Sequence, residues 1–367
     1  MSREHRGLGT VYLRGRVWWV VYHVRGRRLY ESSRSEDRTV AVALLKRRLG
    51  EVGLGRPVGP DVQRTTFEDL ATMLTDDYAA NGRRSGARME TSLTHLRAAF
   101  GLDRAGDITT DRMTRYVRAR LDAVAAPASI RNELAALKRA FRLAHRAGRV
   151  AAVPAFPSLA VDNVRSGFFE PEDLAALLRE LPVPLRPVVR FAALTGWRKG
   201  EILGLTWAAV DFTAGTVRLE PGTTMNRQGR VFPFTALPAL ADLLREQRET
   251  TYAVQRARGE IIPWVFHRGG VPIRDFYVAW RSAVDRAAHE ERGVVLVLVR
   301  PQLVGRILHD LRRTAVRNLE RAGVSRSVAM SLTGHKTEAV YRRYAIVDSA
   351  AQREGVAKLA TFTQGVR

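Results

Sequence analysis

Leu332-Thr-Gly-His335 begins the segment on which the fold assignment rests, and the segment continues as Lys336-Thr-Glu-Ala-Val-Tyr-Arg-Arg-Tyr-Ala-Ile-Val-Asp348. It contains two tyrosines, Tyr341 and Tyr344, and the second follows His335 by nine residues. We expect both tyrosines on one short helix, one turn apart. An isolated tyrosine at such a place usually packs in a core or an interface. Whether such a tyrosine is structural or catalytic therefore depends on which other motifs the chain contains.

Two further motifs lie upstream of this segment. His309-Asp-Leu-Arg312-Arg-Thr puts a histidine and an arginine on one face of a helix start, where exposed amides also favour a phosphate. Ala192-Ala-Leu-Thr-Gly-Trp-Arg198-Lys-Gly-Glu201 places Arg198 on a helix with Glu201 three residues later. Taken singly, the first motif is also typical of the polar first turn of a core helix. The second is also typical of a surface or half-buried ion pair.

The order of these residues along the chain is more informative than any one motif. Arginine and glutamate, then His-x-x-Arg, Gly-His and a tyrosine nine residues later resemble the active-site set of the tyrosine recombinase (phage integrase) family. Residues 334–348 are similar in particular to integrases of phages and other mobile elements. The resemblance implies a site-specific DNA recombinase that integrates or excises a mobile element. It also implies a 3′-phosphotyrosyl intermediate, with no cofactor and no metal.

The resemblance assigns an active-site role to six residues: Arg198, Glu201, His309, Arg312, His335 and Tyr344. The two arginines would clamp the non-bridging oxygens of the scissile phosphate with their forked guanidiniums, and Glu201 would orient the first of them. Tyr344 would attack the phosphorus. A phenol has an ordinary pKa of about 10 and is a poor nucleophile at pH 7, so His309 and the positive field would activate it. His335 would hydrogen-bond the phosphate.

One position departs from the family pattern. Members usually carry a lysine general acid on the β-hairpin between the first arginine and His-x-x-Arg. Met225 stands at the expected position, within Pro221-Gly-Thr-Thr-Met225-Asn-Arg. A thioether donates no proton. Three explanations stay open: an engineered substitution, a natural loss of activity, or replacement by a neighbour such as Arg227 or Lys199.

Composition narrows the class of protein. The chain has 367 residues, of which 46% are hydrophobic, so two or three domains with sizeable cores are expected. The absence of cysteine excludes disulfides and cysteine nucleophiles. No apolar run approaches the roughly 18–20 residues of a membrane span, and the first residues lack the apolar stretch of a secretory signal. We therefore expect a cytoplasmic protein that does not enter a membrane.

The charge balance indicates a nucleic-acid partner. Sixty Lys and Arg residues against 37 Asp and Glu residues give a formal net charge of +23. Such a surface attracts phosphates. A ribosome-associated protein, or the arginine-rich background of a GC-rich genome, would give the same balance.

The first segment, residues 1–55, is predicted to be an arm-type DNA-binding domain. Three strands are expected at Thr10–Leu13, Val17–His23 and Arg27–Glu31, followed by a helix near Asp37–Leu49. This segment is strongly basic, and a narrow sheet can enter a major groove. The residues predicted to contact DNA are Arg14, Arg16, Arg25, Arg27 and Arg28.

The second segment, residues 65–160, is predicted to be a helical, SAM-like core-binding DNA-binding domain. Four apolar stripes at helical spacing predict a bundle, the first of them running from Phe67 to Tyr78. Gly- and Pro-rich residues 53–60 precede it as a linker. The residues predicted to contact DNA are Lys138, Arg139 and Arg142.

The third segment, residues 168–367, is predicted to be the catalytic domain. It reads as mostly helical, with a β-hairpin formed by Thr216–Glu220 and Arg230–Phe234. The apolar, β-branched run Val294–Val299 stays unassigned. The predicted fold class is therefore mostly α with small β elements, that is, α+β.

The resemblance also implies partners. These are double-stranded DNA attachment sites, a homo-tetramer assembled on DNA, and an accessory DNA-bending or directionality factor. Three alternatives stay open: an integrase-like DNA-binding protein impaired in cleavage, a type IB topoisomerase, and a helix-turn-helix regulator. The regulator explains the charge and the helices, but not the set of arginines, histidines and tyrosine.

Overall fold

The computed structural model describes residues 9–24, 26–54, 59–83, 85–161, 167–221, 229–292, 295–344 and 349–364. Arg25, Met225 and Arg227, which the sequence singles out, lie outside these ranges. The chain divides into two compact units, Met1–Asn163 and Val164–Arg367. The finer division into three domains stays a prediction.

The first unit begins with a three-stranded antiparallel meander and a helix, as predicted. Their bounds are β1 Gly9–Arg14, β2 Val17–Val24, β3 Arg27–Ser32 and α1 Arg38–Gly53. Asp37 starts α1 by accepting a hydrogen bond from the backbone N–H of Thr39 at 2.7 Å. The helix covers one face of the sheet, where Val20 and Tyr22 are buried.

The opposite face of this sheet carries aromatic rings and arginines. Residues directly opposite each other on paired strands share a face, and Tyr12 pairs with Trp19 in the register of β1 and β2. The Arg14 guanidinium lies 5.2 Å from the Trp19 ring centre, and that of Arg28 lies 5.4 Å from the Tyr30 ring centre. The face not covered by α1 is therefore both cationic and aromatic.

Helices form the remainder of the first unit: α2 Pro60–Arg64, α3 Phe67–Ala80, α4 Gly86–Phe100, α5 Thr110–Asp122 and α6 Pro127–Arg146. Thr66 and Asp69 form a capping box that starts α3, and a proline in the first turn starts α6. The last four helices confirm the predicted bundle, and Phe100 and Phe141 are buried in its core.

The second unit is mostly helical. Its helices are α7 Pro171–Glu180, α8 Arg186–Thr195, α9 Lys199–Leu203, α10 Pro238–Arg258, α11 Tyr277–Ala288, α12 Asp310–Arg321, α13 Arg326–Thr333, α14 Glu338–Tyr341 and α15 Ser349–Gln364. Helices α8 and α12 pack together in the main core, with Val188, Phe191 and Leu311 fully buried.

Small antiparallel sheets complete this unit: β4 Val210–Asp211, β5 Thr216–Leu219, β6 Arg230–Pro233, β7 His267–Arg268, β8 Val271–Pro272, β9 His289–Arg292 and β10 Val295–Leu298. The pair of β5 and β6 confirms the predicted hairpin, with Leu219 opposite Arg230. The unassigned apolar run supplies β10, which pairs with β9. The predicted α+β class is confirmed. Among the residues that the structure describes, no helix combines the length and apolar character that a membrane crossing requires.

Candidate active site

A sharp turn after α8 delivers the first arginine to the site. Gly196 adopts a left-handed conformation with φ of 65°, and a Cβ there would lie 3.0 Å from the Cβ of Ala315. Arg198 does not lie on a helix, as the spacing suggested, but is the extended residue that precedes α9. Glu201 accepts the backbone N–H of Arg198 at 2.9 Å and its Nη1 at 3.0 Å. The glutamate therefore fixes both the turn and the guanidinium.

The start of α12 supplies the second arginine. His309 precedes the first helical residue, and Arg312 lies in the first turn with 2% of its surface exposed. Arg312 Nη1 donates to the carbonyl oxygens of Gly196 and of Thr333, the latter at 2.6 Å. Its Nη2 is 2.9 Å from Nε2 of His335. These bonds hold Arg312 in one orientation.

The C-terminal end of α13 gathers the guanidiniums of the site. The last carbonyls of a helix lack intrahelical partners and carry the negative end of its dipole. The carbonyl of Thr333 accepts from Arg312 and, at 2.9 Å, from Arg230. The carbonyl of Gly334 accepts from Arg198 at 3.4 Å. Three guanidiniums therefore meet at this helix end through backbone carbonyls, and two of them, Arg198 and Arg230, are also bound to Glu201.

His335 is held in one tautomer by this arrangement. Because a guanidinium only donates, Nε2 of His335 accepts from Arg312 and the ring proton lies on Nδ1. Nδ1 lies 2.7 Å from the hydroxyl of Thr333, which donates to the carbonyl of Ala329. Burial and the nearby guanidiniums lower the pKa of His335 to about 3. In this arrangement His335 is neutral and orients Arg312.

Tyr344 contacts the histidine at the start of α12. The structure corrects the expectation that both tyrosines share a helix, since α14 ends at Tyr341 and Tyr344 lies in the following turn. The Tyr344 hydroxyl is 2.8 Å from Nε2 of His309. The guanidiniums of Arg312 and Arg313 lie 5.5 and 5.2 Å from its ring centre. The phenol therefore lies within hydrogen-bond distance of an imidazole nitrogen, and positive charge lies nearby to stabilise a phenolate.

The neighbouring tyrosine has a different environment. Tyr341 is fully buried and packs with Val316 and Ala329. Burial raises the pKa of its hydroxyl. Tyr341 therefore serves the packing of α12, α13 and α14, and Tyr344 is the tyrosine that meets the histidine.

His309 is poised to accept a proton. His309 is exposed to solvent, yet the protein around it lowers its pKa below 6.5, and the charges of Arg312 and Arg313 add to this effect. The imidazole is therefore neutral at pH 7. A neutral imidazole within hydrogen-bond distance of a hydroxyl has the geometry of a general base.

Arg230 is a site residue that sequence reasoning missed. It begins β6, and its guanidinium pairs with Glu201, donates to Thr333 and lies 4.7 Å from the ring centre of Trp197. Burial lowers the pKa of Arg230, and the charge of Glu201 opposes this effect. The sequence marks it only as the first residue of a strand, and its partners become visible only in three dimensions.

Of the residues considered for the general acid, the structure describes Lys199. Met225 and Arg227 fall outside the described residues. The Lys199 ammonium pairs with Asp275 and lies 5.2 Å from the ring centre of Phe276, at the surface of the second unit. Lys199 is therefore engaged by an acidic partner.

The residues predicted to contact DNA lie in the first unit, and the structure separates them by environment. Arg14 and Arg28 lie on the cationic and aromatic sheet face, whereas Arg27 is opposite Val24, on the side that α1 covers. Arg16 lies in the exposed turn between β1 and β2, 3.6 Å from Glu36.

The three residues of α6 that were predicted to contact DNA also differ in their surroundings. Arg139 is bound to Asp77 through its Nε at 3.0 Å and its Nη2 at 2.6 Å. The Lys138 ammonium lies 5.6 Å from the ring centre of Phe156. Arg142 is exposed on α6. Of the three, Arg142 is the most accessible to an external phosphate.

A tyrosine hydroxyl against a neutral histidine, beside a cluster of guanidiniums, is an arrangement suited to attack on a phosphodiester. Residues 168–351 match the phage integrase family, and the chain belongs to that family. An integrase of Salmonella phage P22 is 27% identical over 189 residues, which cover 50% of this chain and 44% of the relative. The chain thus matches less than half the length of that relative.

Solved structures show the same fold. A lambda integrase dimer bound to a COC′ core site superposes with a TM-score of 0.60 at 18% identity, covering 94% of this chain and 97% of that one. The Tn1549 transposon integrase in complex with transposon right end DNA gives a TM-score of 0.60 at 16% identity, covering 79% and 99%. The likeness to lambda integrase extends over both units of the chain.

Proposed function

We propose that this chain is a site-specific DNA recombinase that integrates or excises a mobile element. The observation that carries the proposal is the 2.8 Å contact between the Tyr344 hydroxyl and Nε2 of His309, beside the guanidiniums of Arg312 and Arg313. Family membership supports the same chemistry.

The reaction follows from the geometry. His309 accepts the phenol proton as the Tyr344 oxygen attacks the scissile phosphorus, and the 5′ oxygen leaves. The leaving oxygen takes up a proton from solvent, so the products are a 3′-phosphotyrosyl link and a free 5′-hydroxyl. Arg198 and Arg312 stabilise the charge that develops on the non-bridging oxygens. Because the link retains the free energy of the broken bond, a 5′-hydroxyl of a second strand can reverse the reaction without ATP.

The proposed partners follow from this reaction. Double-stranded attachment sites supply the phosphodiesters, and strand exchange between two sites requires four tyrosines, hence a homo-tetramer on DNA. A lambda integrase tetramer bound to a Holliday junction has a TM-score of 0.60 to this chain and provides a precedent. We further propose that an accessory bending or directionality factor selects the direction of exchange, and that the protein acts in a bacterial cytoplasm.

A plasmid assay tests the proposal. One supercoiled plasmid carries paired attachment sites taken from the DNA that flanks the gene, and a matched plasmid lacks them. We expect recombinant circles from the first plasmid only. Relaxation of the plasmid without sites would favour a type IB topoisomerase. Sequence-specific binding with no covalent complex would favour the regulator or a cleavage-impaired protein.

The sheet face of the first unit is expected to bind arm-type sites. Changing Arg14 and Arg28 together to glutamine should weaken binding there by about tenfold or more, because a good arginine–base contact contributes about 1–3 kcal/mol. Footprinting across an attachment region measures this. Arg27→Gln is the matched control, because Arg27 lies on the sheet face that α1 covers, whereas the adjacent Arg28 lies on the cationic and aromatic face. If wild type and both variants protect the arm-type sites equally, this sheet face is not the one that binds them.

The pH dependence of cleavage reports on His309. A base acts only when unprotonated, so a pKa lowered below the ordinary 6.5 extends activity towards lower pH. We expect single-turnover cleavage to stay level from about pH 8 down to about 6.5 and to fall only below that. In His309→Gln the acid limb should vanish and cleavage should slow about 10²-fold. An acid limb centred above 6.5 contradicts the assignment.

A further inference from the structure

Arg230 connects the β-hairpin to the first catalytic arginine through one carboxylate. Glu201 binds Arg230 with one oxygen and the side chain of Arg198 with the other, and the backbone N–H of Arg198 also donates to it. The Arg230 side chain is only 7% exposed, whereas that of Arg198 is 21% exposed. Of the two arginines that share Glu201, Arg198 is therefore the more accessible to a substrate and Arg230 the more deeply buried.

We propose that Arg230 is a positioning residue for strand cleavage, which acts through Glu201 to hold Arg198 against the scissile phosphate. The proposal rests on the recombinase function and adds a residue to it. Arg230 does not touch the substrate in this role, because stacking on Trp197 and bonding to Thr333 bury its guanidinium.

The physical reason lies in the two oxygens of Glu201. A buried carboxylate needs partners for both oxygens, since an unpaired one carries the full cost of desolvation. Oε2 of Glu201 accepts from Arg230 and from the backbone N–H of Arg198, so the Arg198 guanidinium binds Oε1, which fixes the direction of its fork. Without Arg230, Oε2 keeps only the backbone N–H of Arg198 as a partner, so the Arg198 guanidinium can turn inward to share that oxygen, away from a phosphate.

The same contacts explain why an arginine is needed. One terminal nitrogen reaches Glu201 while the other reaches the carbonyl of Thr333, and the planar group stacks on an indole. A lysine ammonium is a single point of charge and does not make both bonds from a stacked plane. Arg230→Lys should therefore keep the charge and lose part of the positioning.

The test compares full-length variants on a nicked suicide substrate that traps the covalent complex. The variants are Arg230→Met, Arg230→Lys, Glu201→Gln and the double variant Arg230→Met with Glu201→Gln. Arg218→Met is the matched control, because Arg218 is exposed on the partner strand of the same hairpin. DNA affinity and single-turnover cleavage at saturating DNA are measured separately, at temperatures below each variant's melting point.

We expect Arg230→Met to slow cleavage by about tenfold to 10²-fold with unchanged DNA affinity, since losing a direct donor costs about 10²–10³-fold and this residue acts indirectly. The cleavage rate of Arg230→Lys should lie between those of Arg230→Met and wild type, and the rate of Arg218→Met should equal that of wild type. The double variant should be no slower than the slower single variant, because both changes release the same arginine.

A substrate with a 5′-bridging sulfur separates positioning from proton donation. Sulfur leaves without protonation, so it restores cleavage only where a general acid is missing. We expect it to speed wild type and Arg230→Met by the same factor. Selective rescue of Arg230→Met would make Arg230 the acid and overturn the proposal.

Two other results would also contradict the positioning role of Arg230. Multiplicative losses in the double variant would show that Arg230 and Glu201 act independently. Wild-type rates in Arg230→Met would show that Arg230 is dispensable while the recombinase function stands. No covalent complex from wild type would overturn that function, and the positioning role with it. If Arg230→Met does not fold, Arg230→Lys decides between the same results.

Discussion

Replacing Tyr344 with phenylalanine should abolish covalent attachment to DNA and leave DNA binding intact. The hydroxyl is the atom that His309 contacts, and no phenylalanine atom can replace it as a nucleophile. Removing an essential nucleophile should lower cleavage by roughly 10⁴-fold or more. The basic surface that attracts phosphate is unchanged, so affinity for an attachment site should stay within about twofold. Gel shift and suicide-substrate trapping measure the two quantities.

Tyr341→Phe is the matched control for this substitution. It also removes one phenol oxygen, but from a fully buried side chain that packs beside Ala329. We expect covalent complexes to form at close to the wild-type rate in this variant. Loss of trapping in Tyr341→Phe with normal folding, or persistent trapping in Tyr344→Phe, would contradict the assignment.

Met225→Lys should speed strand cleavage by about 10²–10⁴-fold, the usual contribution of a positioned general acid. The resemblance to the family predicts that Met225 stands at the position of the lysine general acid, and a thioether cannot protonate the departing 5′ oxygen. An alcohol has a pKa far above neutral, so expelling it as an alkoxide is slow. Assembly on DNA should not change, because protonation of the leaving oxygen occurs during cleavage. Single-turnover trapping at saturating DNA measures the gain.

The control for this gain is Met225→Gln, which is polar and neutral and should stay at the wild-type rate. With a 5′-bridging sulfur in the substrate, wild type and Met225→Lys should cleave at similar rates. If Met225→Lys changes nothing and the sulfur gives no acceleration, another residue carries the proton. Arg227→Gln then tests the neighbour, although a guanidinium with a pKa above about 12 releases protons reluctantly.

Local spacing predicted those parts of the site that depend on neighbouring residues. The His-x-x-Arg motif places His309 immediately before α12 and Arg312 in its first turn, as expected from three-residue spacing at a helix start. Strand patterns predicted the meander and the hairpin, because their turns and alternation lie within a few residues. The end of α14 at Tyr341 was not predicted, since the residues after it continue to favour a helix.

Contacts between distant residues could not be predicted in this way. Arg230 meets Thr333 across 103 positions, so its burial depends on how the hairpin packs against α13. Arg139 reads as an exposed helical arginine, yet its partner Asp77 lies 62 positions away. The strand β10 was ambiguous because a short apolar run fits either a helix or a strand. Its partner β9, His289–Arg292, is charged and shows no strand pattern.

Mapping the DNA-linked peptide tests the central claim most directly. Wild-type protein is trapped on a nicked suicide substrate, digested with a protease and a nuclease, and sequenced by mass spectrometry. A nucleotide attached through a 3′-phosphotyrosine at Tyr344 is the predicted result. The same adduct at Tyr341, or at any other residue, would contradict the assignment of Tyr344 as the nucleophile.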